Sequence, residues 1–301
     1  MSGLIDWLTL RIDPVDMPPD LWLAIREKFP SVVMKYDRVT GTIDWEIPAH
    51  ENIRSDSHQL TLKCGATLTI QGSPARLINE NNVFGSDDIE FCARKMIVFA
   101  SQALGLLLPS DFRKWSCTRI DFTCNYFQES RAEVDEILRT ISMAESCRQA
   151  RTTYENGVNF GPGSTLHRGL VYGKGRHLRM LIKQGKATAT EEQLKLADHL
   201  IRLEYRMCKK WLDRHKHLFG HWSKITAKQL IQFHSDYFSK FISNYEVADM
   251  RNLIQLIEQA APTPRQAQAA HDCFMRIREY GYQKAKATYN TPTVYRHLRC
   301  L

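Results

Sequence analysis

The sequence predicts an α+β fold: an antiparallel sheet with helices packed against it, followed by an all-helical appendage. Alternating apolar and polar stretches recur through residues 1–220 and mark half-buried strands. Between them lie stretches with apolar residues three and four apart, opened by Ser, Thr or Asp caps. Beyond about Gly220 the strand signal ends and only helical patterns remain. The expected division is therefore a sheet domain over 1–220 and a helical domain over 221–301.

The elements follow in order. Leu4–Ile12 is rich in branched and aromatic residues and ends before Pro14, which reads as a strand. Leu60–Gln71 reads as one or two more, with a turn near Gly65. Asp87, with Glu90 three residues on, opens a helix whose stripe is Ile89, Ala93, Met96, Ala100 and Leu104. Lys114–Phe127 alternates as a strand, with Thr118, Ile120 and Phe122 on one side and Arg119 and Asp121 on the other. Ser130 and Glu133 box the next helix, striped by Val134, Ile137, Leu138 and Ile141. Leu166–Lys174 reads as a strand with a tight turn at Gly173–Gly175. Thr190 and Gln193 cap a short helix. Ile201–Met207 then alternates most cleanly, with Ile201, Leu203, Tyr205 and Met207 opposite Arg202, Glu204 and Arg206. In the last part, Thr226 with Gln229 opens a helix carrying Leu230, Phe233, Tyr237 and Phe241. Val247–Gln259 reads as a second helix, and Thr263, Pro264 and Gln266 open a third that Gly281 ends.

Composition narrows the function. Lysines and arginines number 41 against 33 acids, a net charge of +8, which suits a polyanionic partner such as nucleic acid. None of the eight cysteines forms a Cys-x-x-Cys pair, so a zinc ribbon is not indicated and reduced, buried thiols are expected. The longest apolar stretch, Met96–Leu108, is too short to span a bilayer. A soluble, cytoplasmic protein with no membrane partner is the expectation. No phosphate-binding Gly-x-x-x-x-Gly-Lys loop and no dinucleotide fingerprint are present.

The strand faces carry the chemistry. Asp121 lies beside Arg119, and Glu204 lies between Arg202 and Arg206. Tyr172 and Lys174 share a strand face, with Arg168 further back. Brought onto one sheet surface, these residues suit phosphoryl transfer. The carboxylates hold a hard divalent cation such as Mg²⁺ or Mn²⁺, and the tyrosine, with Lys174 lowering its pKa, is the nucleophile. The same charges are also what a solvated sheet face laced with ion pairs would carry.

Several strings resemble one family. They are Ile5-Asp6-Trp7-Leu8-Thr9-Leu10-Arg11; Gly72-Ser73-Pro74-Ala75-Arg76 followed by Asn82-Val83-Phe84-Gly85; Arg119-Ile120-Asp121; Leu170-Val171-Tyr172 with Lys174; and Leu203-Glu204 between Arg202 and Arg206. In that order they are similar to the gene II / gene X replication initiators of filamentous phages. More distantly they resemble plasmid rolling-circle initiators of the Rep_trans type. The resemblance implies a nuclease that nicks one strand of origin DNA through Tyr172, with host helicase and polymerase as partners and a homodimer as one state open to it. It implies a metal held by Asp121 and Glu204. Asp6 is either a third ligand or a structural acid, because it shares a strand face with Leu8 and Leu10.

The remaining signals concern DNA contact. His215-Lys216-His217 and His221 lack a complete zinc set and sit among Lys209, Lys210 and Arg214, so they read as a basic, DNA-facing helix. Residues 282–301 have the shape of a helix-turn-helix, with Arg296 and Arg299 on its second helix. Arg119, Arg168, Arg202 and Arg206 are the further DNA-contact candidates. The alternative reading is a non-catalytic origin- or promoter-binding regulator.

Overall fold

The computed structural model describes residues 3–29, 31–48, 52–54, 60–79, 81–143, 151–242, 263–270 and 272. It is built on strands β1 (Gly3–Ile12), β4 (Asn52–Arg54), β5 (Leu60–Cys64), β6 (Leu68–Gly72), β7 (Trp115–Phe127), β8 (Arg151–Tyr154), β9 (Gly157–Phe160), β10 (His167–Gly173) and β11 (Leu200–Cys208). They form one nine-stranded sheet in the order β4-β5-β6-β1-β7-β11-β10-β9-β8. Every neighbouring pair is antiparallel. A separate two-stranded ribbon joins β2 (Val32–Tyr36) to β3 (Ile43–Pro48). The described helices are α1 (Pro19–Glu27), α2 (Pro74–Asn79), α3 (Ile89–Leu104), α4 (Arg131–Met143), α5 (Lys174–Lys183), α6 (Glu191–Asp198), α7 (Lys209–His215) and α8 (Ala227–Ile242). The fold class expected from the sequence is the fold observed.

Alternation divides the sheet into an apolar and a polar face. Leu8, Leu10, Ile70, Leu62, Ile120, Phe122, Val171, Leu203, Tyr205 and Met207 belong to one continuous buried cluster. Helices α3, α4 and α8 supply its other side. Leu230, Tyr237, Phe238 and Phe241 of α8 belong to that cluster, and the Tyr237 ring stacks on Tyr205 at 4.5 Å. A boundary at 220 therefore passes through a single core; α8 belongs to the sheet and not to an appendage.

The opposite face is polar. Segment 73–86, with α5 and α6, covers one end of it, and Val83, Leu178, Ala197 and Leu200 form a small second core there. The Thr190–Gln193 capping box is present with both hydrogen bonds.

Some local expectations shift. Asp88, not Asp87, caps α3 by accepting from the Phe91 N–H. A register shift in β7 opposite Thr9–Leu10 sends Cys117, in place of Thr118, into the core beside Ile120. β10 stops at Gly173, and Lys174 opens α5 with no intervening turn, so Lys174 is not on the strand face of Tyr172. Val247–Gln259, residues 282–301 and with them Arg296 and Arg299 lie outside the described residues. The Thr263 cap is described, with its hydroxyl accepting from Gln266 N–H at 3.3 Å.

Candidate active site

Cross-strand register gathers the site. Tyr172 on β10 stands opposite Arg202 on β11, and Arg168 opposite Arg206. Arg206 stands opposite Asp121 on β7, and Glu204 opposite Thr123. Asp121 in turn faces Trp7 on β1. The carboxylates and arginines of three adjacent strands thus share one face.

Asp6 reaches the same place through a bulge. The pairing skips from Ile5 opposite Phe122 to Trp7 opposite Asp121, leaving Asp6 as the extra residue. That slip removes it from the face of Leu8 and Leu10 expected from strict alternation. Its Oδ1 accepts from Asn82 Nδ2 at 2.6 Å and from Ser73 Oγ at 3.5 Å, and its Oδ2 lies 3.8 Å from Arg202 Nη1.

Asp121 is clamped by two guanidinium groups. Arg119 Nε donates to Oδ1 at 2.8 Å and its Nη2 to Oδ2. Arg206 Nε lies 3.0 Å from both oxygens, and Arg206 Nη2 also donates to Oδ2 at 2.9 Å. Burial alone would raise this carboxyl, but the two arginines overcome it and hold Asp121 below the usual carboxylate range. Arg119 also lies over the Trp7 ring at 4.9 Å.

Glu204 is less well compensated. Its cation partner, Arg206, is 3.4 Å away. Burial, then the nearby charges of Asp121 and Asp6, push its carboxyl up to about 8. Crowded carboxylate oxygens of this kind suit a hard divalent cation, which needs only one or two protein carboxylates when phosphate and water complete its shell. Among the described residues, no three acid, histidine or cysteine side chains form an ion-holding group by themselves. Glu204 and Asp6 are the acids with oxygen lone pairs to offer such an ion; both oxygens of Asp121 are taken by Arg119 and Arg206, so it would join them only once an arginine turned away.

Arg202 has no exposed surface. Its Nε donates to Asn125 Oδ1 at 2.9 Å, and its Nη2 donates to the carbonyls of Asn82 and Val83. Asn125 Nδ2 closes the loop on Val83 O at 2.8 Å. The Gly72–Gly85 string thereby acquires a structural reason, since Ser73 and Asn82 reach Asp6, and Asn82 and Val83 receive Arg202.

Tyr172 is 6% exposed. Burial pushes its phenol above the ordinary value, and the charge of Arg202, its cross-strand neighbour, opposes the rise. Lys174 does not play the part expected of it. Its ammonium is fully buried, donates to Asn82 Oδ1 at 2.6 Å, and is driven well below its ordinary pKa by burial and by Arg202. The His177 ring meets Tyr172 edge-on at 4.9 Å. Burial, then Lys174, lowers that imidazole to about 4.

The structure thus brings together Tyr172, Lys174, Asp121, Glu204, Asp6, Arg202, Arg206 and Arg119. Arg168 sits at the edge of the group with its Nε buried and unpartnered. Sequence reasoning missed Ser73, Asn125 and His177, and gave Asn82 no role of its own. Ser73 and Asn82 at least stood in the quoted strings. The other two carried no pattern, because a single position on a strand or helix has no periodicity to mark it. The histidines near 215–221 take local roles: His215 stacks on Trp211 at 4.1 Å, and His221 bonds Ser223. No helix among the described residues is long and apolar enough to cross a membrane.

No curated protein sequence matches the chain. Among solved structures, a rolling circle replication initiator protein from Geobacillus stearothermophilus is similar with a TM-score of 0.37 and 10% identity. The match covers 80% of this chain and 85% of that one. That likeness is loose and carries no weight for function. The family model for the N-terminal part of a phage replication-associated protein matches residues 4–240, most of the chain, and on that match this chain belongs to the family of phage replication-associated proteins.

Proposed function

We propose that the chain initiates rolling-circle replication by nicking one strand of origin DNA with Tyr172. The observation that supports this reading is the meeting of a tyrosine, three carboxylates and several cations on one sheet face in a replication-associated family. Phosphoryl transfer asks the protein mainly to position groups and to offset charge, and these side chains do both.

In this reading the Tyr172 Oη attacks the scissile phosphorus in line with the leaving 3′ oxygen. The Oη–P bond forms, the P–O3′ bond breaks, and the phenol's proton ends on the leaving 3′ oxygen by way of solvent. The products are a 5′-phosphotyrosyl link and a free 3′-OH that primes synthesis. The link keeps the bond energy, so the reverse attack rejoins the strand without ATP. Arg202, opposite Tyr172, favours ionisation of the phenol by its charge. The arginines at 119, 168 and 206 offset phosphate charge and follow the strand, with the buried Lys174 behind them. Asp121 and Glu204, with Asp6 beside them, would hold Mg²⁺ or Mn²⁺, which would polarise the phosphate. Because Tyr172 is shielded in the free chain, DNA binding has to uncover it. Host helicase and polymerase act on the opened strand, in a bacterial cytoplasm. Pairing of two copies would supply a second nucleophile.

The test is a nicking reaction on supercoiled DNA carrying the cognate origin, with Mg²⁺ or Mn²⁺, resolved in SDS. Relaxed circles and a covalent protein–DNA adduct are expected, and Tyr172→Phe is expected to lose both. An adduct that persists in Tyr172→Phe moves the nucleophile, with Tyr154, 58% exposed, as the next choice. DNA binding with no adduct under any metal leaves the regulator reading. Nicking unaffected by EDTA removes the metal.

A further inference from the structure

Asn82 occupies an unusual position between two charges. Its Oδ1 accepts from Lys174 Nζ at 2.6 Å, and its Nδ2 donates to Asp6 Oδ1 at 2.6 Å. All three residues are buried. A carboxylate only accepts, so the amide orientation is fixed: nitrogen toward Asp6, oxygen toward the lysine, which donates. The backbone of Asn82 is held as well, because Arg202, the partner of Tyr172, donates to its carbonyl.

An amide in this place does something an aliphatic side chain cannot. It keeps a buried amine and a buried carboxylate apart while tying each to a known point. Without it, Lys174 and Asp6 would swing together into a direct ion pair or take up water, and both would leave their places around Arg202. We propose that Asn82 is a positioning residue for strand cleavage, the bridge that sets where the Lys174 amine and the Asp6 carboxylate stand around Arg202, the residue opposite Tyr172. This rests on the nicking reading. Asn82 touches neither phosphate nor phenol; it acts through Lys174 and Asp6.

The experiment compares wild type with Asn82→Leu, close in size and unable to hydrogen-bond. It measures the single-turnover cleavage rate at saturating origin DNA and the Kd for a labelled single-stranded origin oligonucleotide. Two charge-assisted hydrogen bonds are lost, so cleavage should slow roughly 30-fold or more while Kd stays within about threefold. In a Lys174→Met background the same change should cost about fivefold or less, because one of its two targets is already gone. Asn82→Asp, which keeps the acceptor for Lys174 but faces Asp6 with a second carboxylate, should also cleave slowly. It carries the test if the leucine variant does not melt cooperatively. Wild-type cleavage rates in both variants would overturn the role of Asn82 while leaving Tyr172 in place, as would an undiminished loss in the Lys174→Met background. Loss of DNA binding in step with cleavage would reduce Asn82 to a structural residue. A wild-type chain that forms no adduct overturns this inference together with the nicking reading.

Discussion

Arg202 shows how much one buried side chain can organise. Its donors serve Asn125 and the carbonyls of Asn82 and Val83, with Asp6 as counter-charge and Tyr172 opposite on the neighbouring strand. Arg202→Met would leave those acceptors and a buried carboxylate without a cation. Removing one partner of a buried pair costs on the order of 3–5 kcal/mol. A fall of that size in urea-unfolding free energy is expected, and Arg202→Lys should recover little of it because an ammonium cannot reproduce the fork. A loss below about 1 kcal/mol would show that the network relaxes around the gap. The position of Arg202 is legible in the sequence, since strict alternation from 201 to 207 puts it on the face of Glu204 and Arg206. Its burial is not, because alternation tells one face from the other and says nothing about what covers it. Asp6 falls on the Leu8 face in the sequence for a related reason. A bulge shifts the phase by one residue, and no local sequence feature announces it.

Among the elements, the strands and caps are the most readable. β7, β11 and the Thr190 box follow directly from period and capping chemistry. The junction of β10 and α5 looks like a turn in the sequence because Gly173 and Gly175 are turn residues by type. Gly175 in fact lies where a Cβ would come 2.1 Å from Asp198 Oδ1, so its small size serves the packing of α5 on α6. The place of α8 is hidden in a different way. Its helical pattern is clear, but a helix period does not reveal which surface receives its stripe. Gly169 is the complementary feature on the sheet. A Cβ there would sit 2.4 Å from Tyr237 Cε1 and 3.0 Å from Phe238 Cε1. Both rings are packed in the core and cannot swing away freely. Gly169→Ala is therefore expected to destabilise the fold by about 1–3 kcal/mol through overpacking. The loss should be visible as an earlier urea midpoint. An unchanged midpoint would mean that α8 is not seated on β10 as described.

For the whole molecule, buried groups on the two faces of the sheet set opposing pH slopes: His234, His177 and Lys174 in one sense and Glu204 in the other. His234 of α8 is 1% exposed on the apolar face, donates from Nε2 to Leu203 O at 3.0 Å, and is lowered from 6.5 to about 4 by burial. The unfolded chain binds a proton there at a higher pH than the folded chain does. Its contribution is therefore complete above pH 6.5 and is lost as pH falls from 6.5 to 4, a difference on the order of 3 kcal/mol. Glu204 on the polar face behaves in the opposite sense. Its folded carboxyl is raised from 4.5 to about 8 by burial and by Asp121 and Asp6, so the folded state keeps a proton that the unfolded state has released. Stability from this source is complete below 4.5 and is lost as pH rises to 8. In the window from 6.5 to 8 Glu204 acts without the histidines but is opposed by buried Lys174, whose lowered pKa makes stability rise with pH; with that lysine replaced, as in Lys174→Met, and in EDTA, the chain is expected to become less stable with rising pH. Urea unfolding at intervals across the range from 4.5 to 8 measures this. Glu204→Gln should flatten the upper part of the profile and leave the lower part sloping. His234→Gln should reduce the slope of the lower part without flattening it, because His177 titrates over the same range. If added Mg²⁺ also flattens the upper part in wild type but not in Glu204→Gln, the ion engages that carboxylate. A Lys174→Met profile that rises steadily to the top of that range would show that Glu204 ionises freely in the fold, and the crowding of carboxylates at the site would then be too weak to favour a cation.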